Sequence, residues 1–249
     1  METIETTTDL EVDEGTMAVV TYGPADGAPR PAVVLVHDTF GLTRAALDTT
    51  KGLAEEGFAV AAADVFHRFG RMKTAPREST LEEQRKLRAG MTNDGHVADM
   101  NALVRHLQAQ PYVRAGPVGI VGFCLGGRIA YLAASQGEGF GPAVLFYPTR
   151  LLEPDPAVPG SPMPIASASG VKSPLLGFFP EMDSQNPPGN IANIRAALAG
   201  TPAEIVVVEG ADHGFAQPAH EHFHPEAGPQ AWRRAVGFFM THLQSAAVR

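Results

Sequence analysis

The chain holds a single cysteine, Cys124, at the centre of the segment GFCLGG. An apolar, strand-like run, Val118–Phe123, leads into this segment, and an Ala-rich helical pattern begins directly after it. A strand that ends in Gly-x-nucleophile-x-Gly and opens into a helix is typical of a nucleophile elbow, a sharp turn that exposes the central side chain. At a helix N-terminus, the dipole and the free N–H groups favour a thiolate. A lone cysteine is often an inert core residue, but this context indicates a nucleophile.

A nucleophile of this kind needs a general base, and the base needs an acid that orients it. In chains with such an elbow both follow the nucleophile, with the acid first. Asp183 follows one strand-like run, in PEMDSQNPP, and His213 follows the next, in EGADHGF. Glu181 and Asp212 are rival carboxylates, but Asp183 is better placed before a loop and a helix. The order therefore predicts a Cys124, Asp183, His213 set.

A third group of chemically active residues is the segment HEHFH, which has His220, His222 and His224 at alternate positions. In an extended strand the three imidazoles would share one face and could bind zinc. No cysteine or carboxylate completes the set at a recognisable spacing, and prolines bracket the segment as a loop. We therefore predict no metal, and the lack of a phosphate-binding or dinucleotide glycine motif predicts no organic cofactor.

The elements that must position these residues alternate between strand and helix along the chain. The strands are apolar with little internal alternation, as in a parallel sheet that is buried on both faces. The class predicted is α/β, with helices on both sides of a mostly parallel sheet and one domain over residues 1–249. The first strand precedes any helix, so we expect it to pair antiparallel at the sheet edge. The predicted strands are Met17–Tyr22, Ala32–His37, Ala59–Asp64, Val118–Phe123, Ala143–Tyr147, Leu175–Phe179 and Glu204–Val208, and the predicted helices are Arg44–Glu56, Asp94–Gln108, Leu125–Ser135, Asn190–Leu198 and Gln230–Leu243.

Two long stretches, Phe66–Gly90 and the Pro-rich Leu151–Ser173, lack a clear pattern. Long loops in a compact domain often cover a functional site. For the second stretch, a disordered surface excursion is the alternative.

Composition excludes several classes of function. The net charge of −8 argues against nucleic acid, whose phosphates require a clustered basic face. No apolar run approaches the ~18 residues of a membrane span, and the acidic N-terminal segment METIETTTDLEVDEG lacks the apolar core of a signal peptide. A single cysteine fits a reducing compartment. We expect a cytoplasmic protein that needs no membrane; its oligomeric state stays open, with a monomer expected.

The motifs resemble those of the dienelactone hydrolases (carboxymethylenebutenolidases). The resemblance rests on VGFCLGGRIAYLAA at the elbow, VKSPLLGFFPEMD at the acid and EGADHGFAQ at the histidine. Similar context surrounds VLVHDTFGLT, DMNALVRHLQAQPYV and FHPEAGPQAWRRAVGFFMTHL, so the resemblance extends from about Met17 to Leu243. It implies an α/β-hydrolase fold with Cys124, Asp183 and His213 as a catalytic triad.

The same resemblance assigns roles to the loop after the second predicted strand. The family has an acidic residue there, usually Glu, that contacts the thiol, followed by a residue whose backbone N–H serves the oxyanion hole. The matching positions are Asp38 and Thr39, and the N–H of Leu125 is the second donor. Because Asp is shorter than Glu, Asp38 has an alternative role as a turn residue that caps the loop backbone.

The anion-binding positions depart from the family. Its best-known members hold the carboxylate of dienelactone with two arginines. The position four residues after the histidine is Gln217 in this chain, and Arg85 and Arg88 lie near the second position without a clean match. An amide cannot replace a bidentate guanidinium, so the resemblance implies hydrolysis without identifying dienelactone as the substrate.

The sulfur nucleophile restricts the substrate class. A thiol has a pKa of only ~8.5, so a tetrahedral intermediate expels thiolate more readily than an ordinary alkoxide. Enol lactones and activated esters have better leaving groups, and we expect a small-molecule substrate of that kind. The alternatives are a general carboxylesterase or thioesterase with the same triad, and a catalytically idle, ligand-binding member of the fold.

Overall fold

The computed structural model describes residues 1–74 and 90–244. Its centre is an eight-stranded sheet with the strand order β1-β2-β4-β3-β5-β6-β7-β8. Strands β1 and β2 form an antiparallel hairpin, β2 pairs antiparallel with β4, and the remaining neighbours are parallel. The strands are β1 Thr3–Val12, β2 Gly15–Pro24, β3 Ala32–Val36, β4 Ala59–Ala63, β5 Val118–Phe123, β6 Phe140–Phe146, β7 Leu175–Pro180 and β8 Ala203–Val208.

In residues 1–74 and 90–244, five α-helices cover the sheet, and each overlaps a helix predicted from the sequence. Within the described ranges, helices α2, α3 and α4 pack against one face, and α1 and α5 pack against the other. The β3 side chains Val34 and Val36 point to the first group, and Val33 and Leu35 point to the second. This alternation follows from the period of two in a strand. The helices are α1 Arg44–Glu55, α2 Asn93–Gln108, α3 Leu125–Gln136, α4 Pro188–Ala197 and α5 Ala227–Gln244.

The prediction for the sheet edge was wrong. The first predicted strand, now β2, lies inside the sheet between β1 and β4, and β1 is the true edge. The β1 sequence TIETTTDLEV is exposed over most of its length, so it lacks the apolar pattern that marks a buried strand. Its threonines favour an extended backbone, and its main-chain bonds to β2 complete the pairing.

The Pro-rich stretch is ordered rather than a disordered excursion. It contains a 3₁₀ helix, Pro164–Gly170, whose Ile165 and Ala168 are buried in the core beside α3. Asp155 anchors the start of the stretch, because its carboxylate accepts the N–H of Asn93 at 2.5 Å. In the described part of the chain, no helix is long and apolar enough to cross a membrane.

Candidate active site

Cys124 lies in the tight turn between β5 and α3. Its φ of 55° and ψ of −113° are strained values for a residue with a side chain. A Cβ on Gly122 would lie 1.9 Å from the carbonyl oxygen of Gly126, and a Cβ on Gly126 would lie 2.2 Å from that of Val36. Only glycine therefore lets α3 begin so close to β5 and β3. The turn has the geometry of a nucleophile elbow.

Asp183 and His213 follow β7 and β8, the strands at the far side of the sheet from β1, and their side chains meet. The His213 Nδ1 lies 2.9 Å from Asp183 Oδ2. Since a carboxylate only accepts, Nδ1–H donates this bond, and Nε2 is left for the thiol of Cys124, which also interacts with the ring. The three residues therefore form one chain of contacts.

Asp183 is fully buried and held from two further directions. Its Oδ1 accepts the N–H of Gln185 at 2.9 Å, and its Oδ2 accepts the Asn186 amide at 3.2 Å. The rival carboxylates lie elsewhere: Glu181 accepts the N–H of Gly210, and Asp212 accepts the N–H of His213. Only Asp183 among them reaches the His213 ring at Nδ1.

The electrostatics of this group favour a charged imidazole. Burial alone would lower the pKa of His213, but its hydrogen bonds to Asp183 and Cys124 raise that pKa to about 10. Burial would raise the pKa of Asp183, but its bond to His213 and the imidazolium charge keep that pKa below its ordinary value. The arrangement thus stabilises an imidazolium beside the buried Asp183 carboxylate.

The loop after β3 carries Asp38 and Thr39 to the same region. The Asp38 carboxylate accepts the N–H of Phe40 at 2.8 Å, which is the turn-capping role that the sequence offered as its alternative. Buried His37 donates from Nδ1 to the Asp38 carbonyl at 2.7 Å, and its Nε2 accepts the N–H of Val65 at 3.3 Å. Acceptance at Nε2 requires a neutral imidazole, and burial lowers the pKa of His37 accordingly. Through these two bonds the His37 ring holds the loop after β3 against the end of β4.

A cleft of about 180 Å³ lies in front of the cysteine, and we call it the Cys124 cleft. Thr39 and Gln217 lie in its wall. Leu125 follows the cysteine directly and is the first residue of α3. Its N–H therefore has no partner within the helix. Arg85 and Arg88 lie outside the described residues. The described lining is Asp38, Thr39, Phe40, Cys124, Tyr147, Thr149, Gln185, His213, Gln217 and His220.

Sequence reasoning missed several members of this lining. The Tyr147 ring packs edge-on to the His213 ring, with centroids 4.8 Å apart, and Tyr147 has a φ of 40°. The N–H of Thr149 donates to the Cys124 carbonyl at 3.2 Å. Tyr147 follows β6 directly, and its place after a parallel strand next to the elbow strand was the signal that could have identified it.

The histidine-rich segment forms part of the loop after β8. His220 Nδ1 accepts the N–H of His222, and His222 Nδ1 lies 3.2 Å from the carbonyl of His213. His224 Nδ1 accepts the N–H of Ala227 at the start of α5. Within residues 1–74 and 90–244, no group of three or more His, Cys, Asp or Glu is arranged to hold a metal ion.

A second, larger cavity of about 910 Å³ adjoins the Cys124 cleft, and the two share Asp38, Phe40 and Gln217 in their walls. We call it the Trp232 cavity. Its described lining is Asp38, Phe40, Leu42, Thr43, Arg44, Ala45, Asp48, Thr49, Gly52, Thr74, Ala216, Gln217, Pro218, Ala219, Phe223, Gly228, Pro229 and Trp232.

The sheet, the elbow and the residues after β7 and β8 define an α/β-hydrolase. A model of the dienelactone hydrolase family matches residues 17–243, and the chain belongs to that family. It is a carboxylic ester hydrolase of the carboxymethylenebutenolidase type.

Individual relatives agree with this assignment over nearly their full length. The carboxymethylenebutenolidase of Pseudomonas putida is 28% identical over 236 residues, which cover 94% of each chain. That of Rhodococcus opacus is 29% identical over 226 residues, 89% of this chain and 85% of the relative. A crystal structure from Klebsiella pneumoniae, provisionally named a dienelactone hydrolase, has a TM-score of 0.86 at 27% identity and covers 96% of this chain and 99% of its own.

Proposed function

We propose that this protein hydrolyses enol lactones or activated esters with Cys124 as nucleophile, His213 as general base and Asp183 as the residue that orients the base. The observation that carries the proposal is the continuous contact from buried Asp183 through His213 to the strained Cys124. The single cysteine also agrees with a cytoplasmic enzyme.

The first half of the reaction forms a thioester. The thiolate attacks the substrate carbonyl carbon, and the carbonyl electron pair moves onto oxygen, where the N–H groups of Leu125 and Thr39 stabilise it. The carbonyl then re-forms and expels the enol or alcohol oxygen. That oxygen takes the proton held on His213 Nε2, and the acyl group stays on Cys124.

The second half returns the enzyme to its starting state. Neutral His213 takes a proton from water, and the hydroxide attacks the thioester carbonyl. The tetrahedral intermediate collapses, the C–S bond breaks, and the carboxylic acid leaves. The Cys124 thiolate is then again paired with the protonated His213, which is the charge state that the raised His213 pKa supports.

The substrate class follows from the nucleophile and from the cleft. A thiolate departs more readily than an alkoxide, so only substrates with stabilised leaving groups pass forward through the first intermediate. In the described lining of the Cys124 cleft, the two imidazoles of His213 and His220 are the only basic side chains, and no arginine or lysine faces the substrate. This agrees with neutral lactones or esters in place of an anionic substrate such as dienelactone.

Alkylation of Cys124 tests the proposal directly. Because the chain has one thiol, one equivalent of iodoacetamide should abolish hydrolysis of p-nitrophenyl acetate, and peptide mass spectrometry should find the adduct on Cys124. Cys124→Ser should fold, as judged by circular dichroism, but lose at least about 100-fold in kcat, because the site supports a thiolate. Full activity after complete alkylation would exclude the thiol as nucleophile, and a serine variant as fast as the parent would show that the mechanism does not require sulfur.

A further inference from the structure

The size of the Cys124 cleft is the first indication of where the rest of a substrate lies. Its volume of about 180 Å³ is smaller than the roughly 300–1,000 Å³ of most small-molecule sites. The Trp232 cavity, at about 910 Å³, lies within that range. Because the two share three lining residues, they adjoin, and the Trp232 cavity is the space next to the cleft that offers room for the rest of a molecule whose carbonyl lies at Cys124.

The wall of the Trp232 cavity is rich in apolar side chains. Leu42 and Phe40 line it from the loop before α1, and Ala216, Phe223 and Trp232 line it from the segment after β8 and from α5. The Trp232 ring stacks on Phe123 at a centroid distance of 6.2 Å. Phe123 directly precedes Cys124, so the Trp232 ring packs against the strand that carries the nucleophile.

The charges in this wall are already compensated. The Arg44 Nε lies 2.9 Å from Asp48 Oδ1, and the Asp38 carboxylate accepts the N–H of Phe40. Arg44 is the one cation among the described lining residues, beside two carboxylates. A negatively charged substituent would therefore meet no uncompensated positive charge in this part of the wall, whereas a neutral apolar one would gain from leaving water.

We infer that the substrates carry a large, neutral, apolar substituent, which lies in the Trp232 cavity while the ester or lactone carbonyl lies at Cys124. This inference rests on the proposed function for the reaction itself. It adds the class of substrate: esters or enol lactones with a hydrocarbon tail or ring system, instead of small dicarboxylate-derived lactones.

Chain-length dependence is the first test. Two series are compared, p-nitrophenyl esters from acetate to octanoate and alkylidene butenolides with lengthening alkyl chains. In at least one of them kcat/KM should rise with each added methylene, by up to about fourfold when the methylene is fully buried. A flat or falling profile in both series would overturn the inference.

Helix glycines supply matched variants. Gly52 of α1 lines the Trp232 cavity, and a Cβ there would meet no heavy atom within 4 Å. Gly52→Ala and Gly52→Leu should lower the ratio of octanoate to acetate turnover in that order, by about tenfold for leucine, which removes space for about two methylenes. Gly237 of α5 has the same open surroundings and does not line the cavity. Gly237→Leu should keep the parent ratio, and equal ratios in Gly52→Leu and Gly237→Leu would contradict the inference.

A binding measurement separates this inference from the proposed chemistry. Trp232 is the chain's only tryptophan, so its fluorescence reports on the cavity. Methyl heptyl ketone should change that fluorescence saturably, octanoate anion should do so at least about tenfold more weakly, and Gly52→Leu should weaken the ketone effect.

If p-nitrophenyl acetate is hydrolysed through Cys124 but neither chain length nor the ketone has an effect, the inference fails and the proposed function stands. If alkylation leaves turnover intact, the proposed function fails, and the fluorescence titration alone decides whether the cavity binds apolar molecules.

Discussion

At the residue scale, Gln217 is the position at which the resemblance to the best-known dienelactone hydrolases breaks down. The resemblance assigns an arginine to this position, and Gln217 lies in the walls of both the Cys124 cleft and the Trp232 cavity. Its amide can donate a hydrogen bond to a substrate carboxylate but cannot neutralise it. A hydrogen bond to a charged group contributes about 1.5–3 kcal/mol, compared with about 0.5–1.5 kcal/mol for a neutral one.

Gln217→Arg should therefore improve the hydrolysis of dienelactone by roughly tenfold in kcat/KM, mainly through KM. A neutral activated ester should change much less, because it offers no carboxylate to the guanidinium. Steady-state kinetics of both substrates on both proteins, with Gln217→Met as the uncharged control, measure the effect. No gain on the anionic substrate would mean that residue 217 does not contact the substrate carboxylate.

The residues of the candidate site differ in how far the sequence could predict their position. Cys124, Asp183 and His213 are adjacent in space because each follows a strand of one parallel sheet, and that order is readable from the chain. Tyr147 and Thr149 were not predictable in the same way. They carry no motif, and Tyr147 reaches His213 only through a positive φ, which follows from packing and not from local sequence.

At the scale of elements, the contact of α3 with β5 and β3 depends on two glycines. The elbow brings the start of α3 within van der Waals range of the β3 backbone, and the cost is the strained conformation of Cys124. The surrounding strands stabilise it, since the N–H of Cys124 donates to the Phe146 carbonyl at 3.0 Å. The nucleophile is thus held by main-chain bonds rather than by its own preference.

Gly126→Ala should displace α3 from β3, because its Cβ would lie 2.2 Å from the Val36 carbonyl oxygen. We expect a loss of at least about 2 kcal/mol in the free energy of unfolding, together with at least about 100-fold in kcat through misplacement of the thiol. Urea unfolding and p-nitrophenyl acetate kinetics provide the two measurements. Gly189→Ala, in the open first turn of α4, is the matched control and should leave both within about twofold or 1 kcal/mol. Parent-like stability and activity in Gly126→Ala would refute this account of the elbow.

The elements that the sequence left unassigned, strand β1 and the ordered Leu151–Ser173 stretch, share a physical cause. The buried parallel strands and the amphipathic helices can be predicted from the sequence, because the strands are apolar on both faces and each helix is apolar on one face. Strand β1 has no buried face of that kind, and the Leu151–Ser173 stretch is ordered by particular polar contacts, such as those of Asp155 with Asn93 and Ser161. The contact with Asn93 joins residues 62 positions apart in the chain, and neither contact leaves a periodic pattern.

At the scale of the whole molecule, the site couples the stability of the fold to pH. The pKa of His213 is raised from 6.5 to about 10, so the folded chain holds this proton more tightly than the unfolded chain. The stabilisation is fully present below about pH 6.5 and is lost as pH rises through about 10. Asp183 acts in the opposite sense: its lowered pKa stabilises the fold above the ordinary carboxyl pKa, and this contribution disappears as pH falls through the folded value.

The thermal midpoint of the parent should accordingly fall between pH 6.5 and pH 10 by at least about 3 °C more than that of His213→Gln, which has no titrating ring. Differential scanning calorimetry across this range measures the difference. Cys124→Ser should also flatten the profile in part, because it removes the thiol whose contact helps to raise the pKa of His213. A decline of the same steepness in the parent and in His213→Gln would show that His213 is not the group responsible.

The acidic outer strand of the sheet has a consequence for the molecule in concentrated solution. Strand β1 turns one row of backbone N–H and C=O groups away from β2, and such a row can template the addition of a foreign strand. Its side chains include Glu5, Asp9 and Glu11. A second copy approaching strand against strand would oppose carboxylates to carboxylates across the new ladder, which is unfavourable. The acidic side chains that kept β1 from showing an apolar strand pattern thus disfavour edge-to-edge aggregation of the sheet.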